Sequence, residues 1–213
     1  MSTRINAGFA GFTDSDFDAM RVPGLEGRME AIIRQVRPKL ERLGSELAPY
    51  LAELCAEPMY PHVAKHARRS VNPPNDTWVA WSRHPRGYKA HPHFQIGLWS
   101  THLFIQFAII YESGNKTVFA ERAADELDSI RAAIPASFVW SKDHMLPDGV
   151  PHAELSAESM TEWLARLRTV KAAEITCGLH IARGDERLRD PDSLLRTAED
   201  TFRRLLPLYK LSF

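Results

Sequence analysis

The 213-residue sequence has few cysteines and no long apolar run. Its two cysteines, Cys55 and Cys177, are far apart and form no metal-ligand motif. Because 44% of the residues are hydrophobic, the chain can bury a core without disulfides, which favours a reducing cytosol. The longest apolar run, Leu103 to Tyr111, is too short to cross a bilayer, and the N-terminal sequence MSTRINAGFAGFTDSDF lacks the apolar segment of a signal peptide. We therefore expect a cytoplasmic protein with no membrane partner.

The sequence also lacks an excess of either charge. Lys and Arg together number 27, as do Asp and Glu, so binding to nucleic acid would need a local basic patch. Neither a Gly-x-Ser-x-Gly motif nor a glycine-rich phosphate loop is present. Cys177 lies on the apolar side of a predicted strand, which predicts a buried and unreactive thiol. These absences disfavour a covalent hydrolase, and the sequence indicates no cofactor.

Residues 61–112 hold six of the nine histidines and end in a predicted β-hairpin. Two strands joined at Ser100-Thr101 pair residues whose numbers add up to 201. One face then carries three apolar pairs and is predicted to face the core: Leu98 with Leu103, Ile96 with Ile105 and Phe94 with Phe107. The other face is mixed, with histidine, glutamine and aromatic side chains: His91, His93, Gln95, Trp99, Phe104 and Gln106. We expect this face to be partly covered, with its polar groups lining a cleft or forming a buried hydrogen-bonded network.

The rest of the chain predicts helices on both sides of the strands. A capping box at Thr13 to Asp16 opens a short helix, and a long amphipathic helix begins at Leu25. Prolines predict a kink or break near residues 34–37, a separate helical piece over 45–54, and the end of the last helix at Pro207. Further helices are predicted at about 117–133 and 156–170, and further strands at 77–82, 138–142 and 174–182. Clustered strands predict a single α+β domain over residues 1–213, with a mostly antiparallel sheet and helices on its apolar face.

Several stretches of the sequence are long enough to compare with a family: LEGRMEAIIRQVRPKLERLG, HVAKHARRSVNPPNDTWVAW, RGY, PHFQIGLW and FVWSKDHM. They resemble the YktB-like family of small bacterial proteins of unknown function. The resemblance runs from about Phe12 to the last helix. It implies a single α+β domain in a bacterial cytosolic protein, and it implies no activity, cofactor or catalytic residue.

The leading functional interpretation is an anion site built on the basic cluster of residues 65–69. Arginine forks suit phosphate and carboxylate oxygens, and histidine and glutamine side chains would add neutral donors. The alternative is a solvated surface on which these arginines pair with acids such as Asp76 or Glu57. We predict a small anionic ligand in a cleft between the sheet and the Pro61 to Asn75 segment, bound by Lys65, His66, Arg68, Arg69, Lys89, His93 and Gln95.

A second interpretation is a binding module for single-stranded nucleic acid. Aromatic residues alternate with basic ones in a layout typical of a stacking platform, although tryptophans at strand spacing are usually core: Trp78, Trp81, Tyr88 and Trp99 with Arg83, Arg86 and Lys89.

A third interpretation is a metal-dependent enzyme. The pairs His62 with His66 and His91 with His93 have spacings that suit a divalent ion on a helix and a strand, respectively. Asp143, His144 or His180 would complete the shell.

The apolar tail of residues 208–213 has two possible places: it docks on the chain's own core, or it docks on a second copy of the chain.

Overall fold

The computed structural model describes residues 10–213. The first nine residues, which belong to the segment used above to argue against a signal peptide, lie outside the described residues. In chain order the strands are β1 (Tyr60–Val63), β2 (Thr77–Ser82), β3 (His93–Leu98), β4 (His102–Ile109), β5 (Val139–Ser141), β6 (Val150–Pro151) and β7 (Ile175–Ala182). They form one sheet in the order β1-β2-β3-β4-β7-β5-β6, with every neighbouring pair antiparallel. The predicted α+β class is confirmed.

Helices pack on one face of this sheet. They are α1 (Asp14–Asp18), α2 (Leu25–Ala31), α3 (Arg37–Cys55), α4 (Lys116–Asp125), α5 (Leu127–Ala133), α6 (Ala157–Thr169) and α7 (Pro191–Lys210). Phe202 of α7 contacts the rings of Trp81 and Phe94, which places the core between α7 and the central strands. Within residues 10–213, no helix is long and apolar enough to cross a membrane.

The predicted hairpin register is confirmed. His93 lies opposite Ala108 and Leu98 lies opposite Leu103, with the four pairs between them as expected. The apolar face is buried as predicted, and the face that carries His93 is buried as well. We call this second side the polar face, defined by the side chains of Trp78, His93, Gln95, Phe104, Gln106, Thr176 and His180.

Prolines interrupt the helices less than the sequence suggests. Near residues 34–37, where the sequence predicts a kink or break, the helix changes to a π-helical turn over Ile32–Val36 and continues from α2 into α3 without a break. The second predicted break is wrong, because α3 continues through Pro49 to Cys55, and α7 likewise continues through Pro207 to Lys210. An internal proline removes one backbone hydrogen bond, and burial of the apolar stripe offsets that loss in α3: Leu40, Leu43, Leu47 and Leu51.

Two further expectations concern the helical His62 and His66 pair and the place where the C-terminal tail docks. His62 belongs to β1, and His66 lies in the following loop with a left-handed φ of 52°, so the helical His62 and His66 pair is wrong. In the tail, Leu208 and Tyr209 are buried, and the Tyr209 hydroxyl donates to Glu57 Oε1 at 2.6 Å. The tail therefore docks on the chain's own core.

Candidate functional site

A small pocket lies between the polar face and the loop of residues 142–149, which joins β5 to β6. Its free space is about 20 Å³, which is room for about one water molecule. The sheet and the residues next to it contribute Asp76, Trp78, Gln95, Trp99, Phe104, Gln106, Ser141, Thr176 and His180, and the loop contributes Asp143, His144, Leu146, Pro147 and Asp148. None of these lining residues is lysine or arginine, and three are aspartates. The lining therefore favours a ligand that donates hydrogen bonds or carries positive charge.

A buried hydrogen-bonded network runs along the polar face beneath the pocket. The Gln106 side-chain amide donates to Gln95 Oε1 at 2.8 Å, and Gln95 Nε2 lies 3.0 Å from His93 Nε2. His93 Nδ1 lies 2.8 Å from the carbonyl oxygen of His91, which can only accept, so Nδ1 carries the proton and Nε2 accepts from Gln95. Burial lowers the pKa of His93 to about 4, which keeps the ring neutral at pH 7. The network fixes the two glutamine amides that face the pocket.

A histidine and a glutamate form a close pair at the edge of the pocket. Because Ser141 of β5 pairs with Thr176 of β7, the end of β5 lies beside the start of β7, and this brings His144 to Glu174. His144 Nδ1 lies 2.6 Å from Glu174 Oε1, and the same carboxylate accepts the backbone N–H of His144 at 2.7 Å. Burial acts to raise the pKa of Glu174, but the hydrogen bonds from His144 outweigh it, and the pKa is lowered. Glu174 is therefore ionised at neutral pH and holds His144 in a fixed orientation.

Asp76 is an almost fully buried acid in the pocket lining. Its side chain precedes β2, is only 6% exposed, and faces the pocket. Among the described residues its carboxylate has no hydrogen bond to another residue, only one to its own backbone N–H. Burial raises the pKa of Asp76 to about 6, although the charges of His144 and Arg69 oppose that shift. A buried carboxylate in this state is costly unless a partner arrives from outside the chain.

Two more imidazoles lie at the other end of the polar face. The rings of His102 and His180 stack with their centroids 4.2 Å apart. Burial lowers the pKa of His102 to about 4 and that of His180 to about 3, so both rings are neutral at pH 7. His102 Nε2 is buried and has no hydrogen-bond partner within the part of the chain that the structure describes. Of the two, His180 reaches the pocket.

Of the seven residues predicted to bind an anion, one lies in the pocket lining. Gln95 lines the pocket, and His93 lies behind it in the hydrogen-bonded network. His66 Nε2 is 3.3 Å from Thr77 Oγ1, and Lys65 and Arg68 are exposed. Arg69 donates to the carbonyl oxygens of residues 72 and 73, and Lys89 lies 3.9 Å from Glu112, while both affect Asp76 electrostatically.

The structure also places the residues of the two other hypotheses, the nucleic-acid stacking platform and the histidine metal pairs. Trp81 is fully buried, Trp99 is 8% exposed, and Trp78 is half-buried with its indole N–H donating to the Tyr88 hydroxyl, so these rings offer no open stacking platform. The ring of His91 stacks on His84 at 3.9 Å rather than facing His93. Among the described residues, the one group of three potential metal-ligating side chains is Asp143, His144 and Glu174, which includes two of the residues named above as completing a shell.

Sequence reasoning missed Asp76 and Glu174. The signal for Glu174 is its place at the start of the predicted alternating strand of residues 174–182, on the polar side and next to Thr176. Asp76 carries no such signal, because the sequence does not reveal that an acid before a strand is buried.

The sequence that builds this α+β sheet and its pocket matches a known protein family. The model of a domain of unknown function, DUF1054, matches residues 12–209, and the chain belongs to that family. Among curated proteins, a UPF0637 protein of Bacillus velezensis is 47% identical over 201 residues, covering 94% of this chain and 96% of the relative. UPF0637 proteins of Bacillus cytotoxicus and Bacillus mycoides are each 48% identical over 200 residues, with the same coverage. The resemblance to an uncharacterised bacterial family is thereby confirmed.

Proposed function

We propose that the pocket binds a small polar ligand whose hydrogen-bond donor or positive charge pairs with Asp76. The observation that carries the proposal is the buried Asp76 carboxylate, which faces the pocket without a hydrogen bond from any other residue of the described range 10–213. Removing a carboxylate from water without a partner costs several kcal/mol, roughly. A ligand that donates to this group recovers that cost on binding. The Gln95 and Gln106 amides, held by the network beneath them, would orient the rest of the ligand.

The acidic lining changes the charge expected of the ligand. The anionic ligand predicted from the sequence depended on arginine and lysine side chains, and these lie outside the pocket lining. A neutral or cationic ligand suits the three lining aspartates better.

We place the protein in the cytoplasm, a proposal supported by its two free cysteines, of which Cys177 is buried.

Indole N–H signals in a ¹H–¹⁵N spectrum provide the test. Trp78 and Trp99 line the pocket, whereas Trp81 and Trp140 lie in the core, with their indole N–H groups donating to Gly44 O and His152 Nδ1, and serve as internal controls. We expect ethanolamine or acetamide to shift the two pocket signals and leave the two core signals in place. The Asp76→Asn variant is expected to weaken ethanolamine binding about tenfold, because a charged hydrogen bond is lost.

Asp125→Asn is the matched control, since Asp125 is exposed on α4. It should bind ethanolamine as the wild type does. Shifts caused by acetate or phosphate alone would overturn the proposal in favour of the anionic ligand. Equal affinities of the wild type and Asp76→Asn would also overturn it.

A further inference from the structure

We infer that Asp143, His144 and Glu174 hold a divalent metal ion of the Mn²⁺ to Zn²⁺ series at the edge of the pocket. One potential ligand atom from each side chain lies within 4.8 Å of the other two. Two carboxylates and one imidazole are a donor set that these ions accept, and three protein ligands leave positions open for water or a second ligand. The inference rests on the proposed function in one respect, because Asp76 of the same pocket supports both.

The fold builds this group from two separated segments. Asp143 and His144 follow β5, Glu174 precedes β7, and the pairing of Ser141 with Thr176 sets the two segments side by side. Backbone groups then hold the side chains. Met145 N–H donates to Asp143 Oδ1 at 2.8 Å, and Glu174 Oε2 accepts the Tyr111 N–H at 3.3 Å. Each carboxylate is thus oriented before any ion arrives.

The closest contact in the group is the 2.6 Å approach of His144 Nδ1 to Glu174 Oε1. An ion would take the place of the hydrogen between these atoms, and the Nδ1 proton would move to Nε2, so the neutral imidazole coordinates through Nδ1. Bond lengths of roughly 2.0–2.2 Å to nitrogen and oxygen require only a small separation of the two side chains. His144 is half-buried and belongs to the 142–149 loop, which can accommodate that movement.

Asp76 provides the second, independent observation that points to a cation. It is 6% exposed, faces the same pocket, and has no hydrogen bond from another residue among those the structure describes. Together with Asp143 and His144 it lines a space of about 20 Å³, which is room for a water molecule bound to an ion. A divalent ion here offsets the negative charge of these carboxylates.

Binding of Mn²⁺ to tag-free, EDTA-treated protein tests the inference, because the electron paramagnetic resonance signal of free Mn²⁺ falls as the ion binds. We expect one equivalent to bind, Zn²⁺ to displace it, and Asp143→Asn and Glu174→Gln each to weaken it at least about tenfold. Asp143 is half-buried and sits in a loop, so Asp143→Asn keeps the test valid even if Glu174→Gln does not fold. The Asp125→Asn control should bind Mn²⁺ as the wild type does.

Two results would overturn the metal site. One is a wild-type dissociation constant above about 1 mM for both Mn²⁺ and Zn²⁺. The other is unchanged Mn²⁺ binding in Asp143→Asn. If ethanolamine still shifts the Trp78 and Trp99 signals while Mn²⁺ does not bind, only the metal inference fails. If Mn²⁺ binds and none of the small organic probes does, the metal site stands and the organic ligand fails.

Discussion

Asp76 shows how a single residue can indicate a binding site, because its buried carboxylate lowers the stability of the ligand-free protein. Its carboxylate is almost fully buried, and the two side chains that affect it most electrostatically, His144 and Arg69, form no hydrogen bond with it. Core packing alone would be better served by an uncharged side chain of the same shape. Groups that destabilise the free protein are typical of functional sites, where the ligand supplies the missing interaction.

The Asp76→Asn substitution should therefore stabilise the protein at neutral pH. The folded pKa of about 6 lies above the reference value of 3.8, so the folded state keeps a proton that the unfolded chain loses between pH 4 and 6. Stability from this group is present below pH 4 and is lost as the pH rises through 6. At pH 7.5 the variant should be more stable by about 3 kcal/mol, and at pH 4 the difference should vanish.

Urea unfolding of EDTA-treated protein at several pH values measures this difference. Asp125→Asn, which changes an exposed carboxylate, should follow the wild type throughout. A less stable Asp76→Asn protein at pH 7.5 would show that the carboxylate has a favourable partner in the free protein.

At the scale of elements, the sequence predicts most strands and helices well because their patterns are local. The pairing of His93 with Ala108 follows from alternation around a two-residue loop, and Ser156 caps α6 by accepting the Ser159 N–H, as predicted. The pocket is different. Glu174 reaches His144 only because β5 pairs with β7, and nothing in either segment specifies that partner. Long-range strand pairing is thus what separates the predictable fold from the less predictable site.

The central strands also depend on a glycine next to the pocket. A Cβ atom on Gly178 of β7 would lie 2.1 Å from the carbonyl oxygen of Ile105 and 2.5 Å from the Cα of Gln106. These are backbone atoms of the neighbouring strand β4, so they cannot move aside without opening the sheet. We expect Gly178→Ala to cost about 3 kcal/mol or more, measured by urea unfolding. Gly114→Ala, where no atom of residues 10–213 outside its immediate neighbours lies within 4 Å of the added methyl, is the matched control and should change stability little.

At the scale of the whole molecule, the central strands β3 and β4 are buried on both faces of the sheet, and imidazoles occupy the second face. Burial lowers the pKa of His66, His93 and His102 to about 4, and that of His180 to about 3. The six histidines of residues 61–112 suggested a ligand site from sequence, but His93 is committed to a neutral structural network. The histidine-rich stretch is therefore partly a consequence of filling a buried polar face.

This arrangement predicts that mild acid destabilises the protein. Below its reference pKa of 6.5 the unfolded chain binds a proton at each of these histidines, whereas the folded state does not until about pH 4 or lower. Stability should therefore fall as the pH decreases from 6.5 to 4.5, and the fully buried His93 alone should account for about 2 kcal/mol of that fall. In the same pH window the folded state gains a proton at Asp76, which opposes the fall in stability. This group contributes at most one proton, whereas several histidines act in the other direction. The measurement is the free energy of unfolding in urea at half-unit pH steps. His93→Gln should make the slope of the unfolding free energy against pH shallower. His84→Gln, at an exposed site, is the control and should leave that slope as it is. A free energy of unfolding that stays level over this range would mean that the buried rings accept protons within the fold.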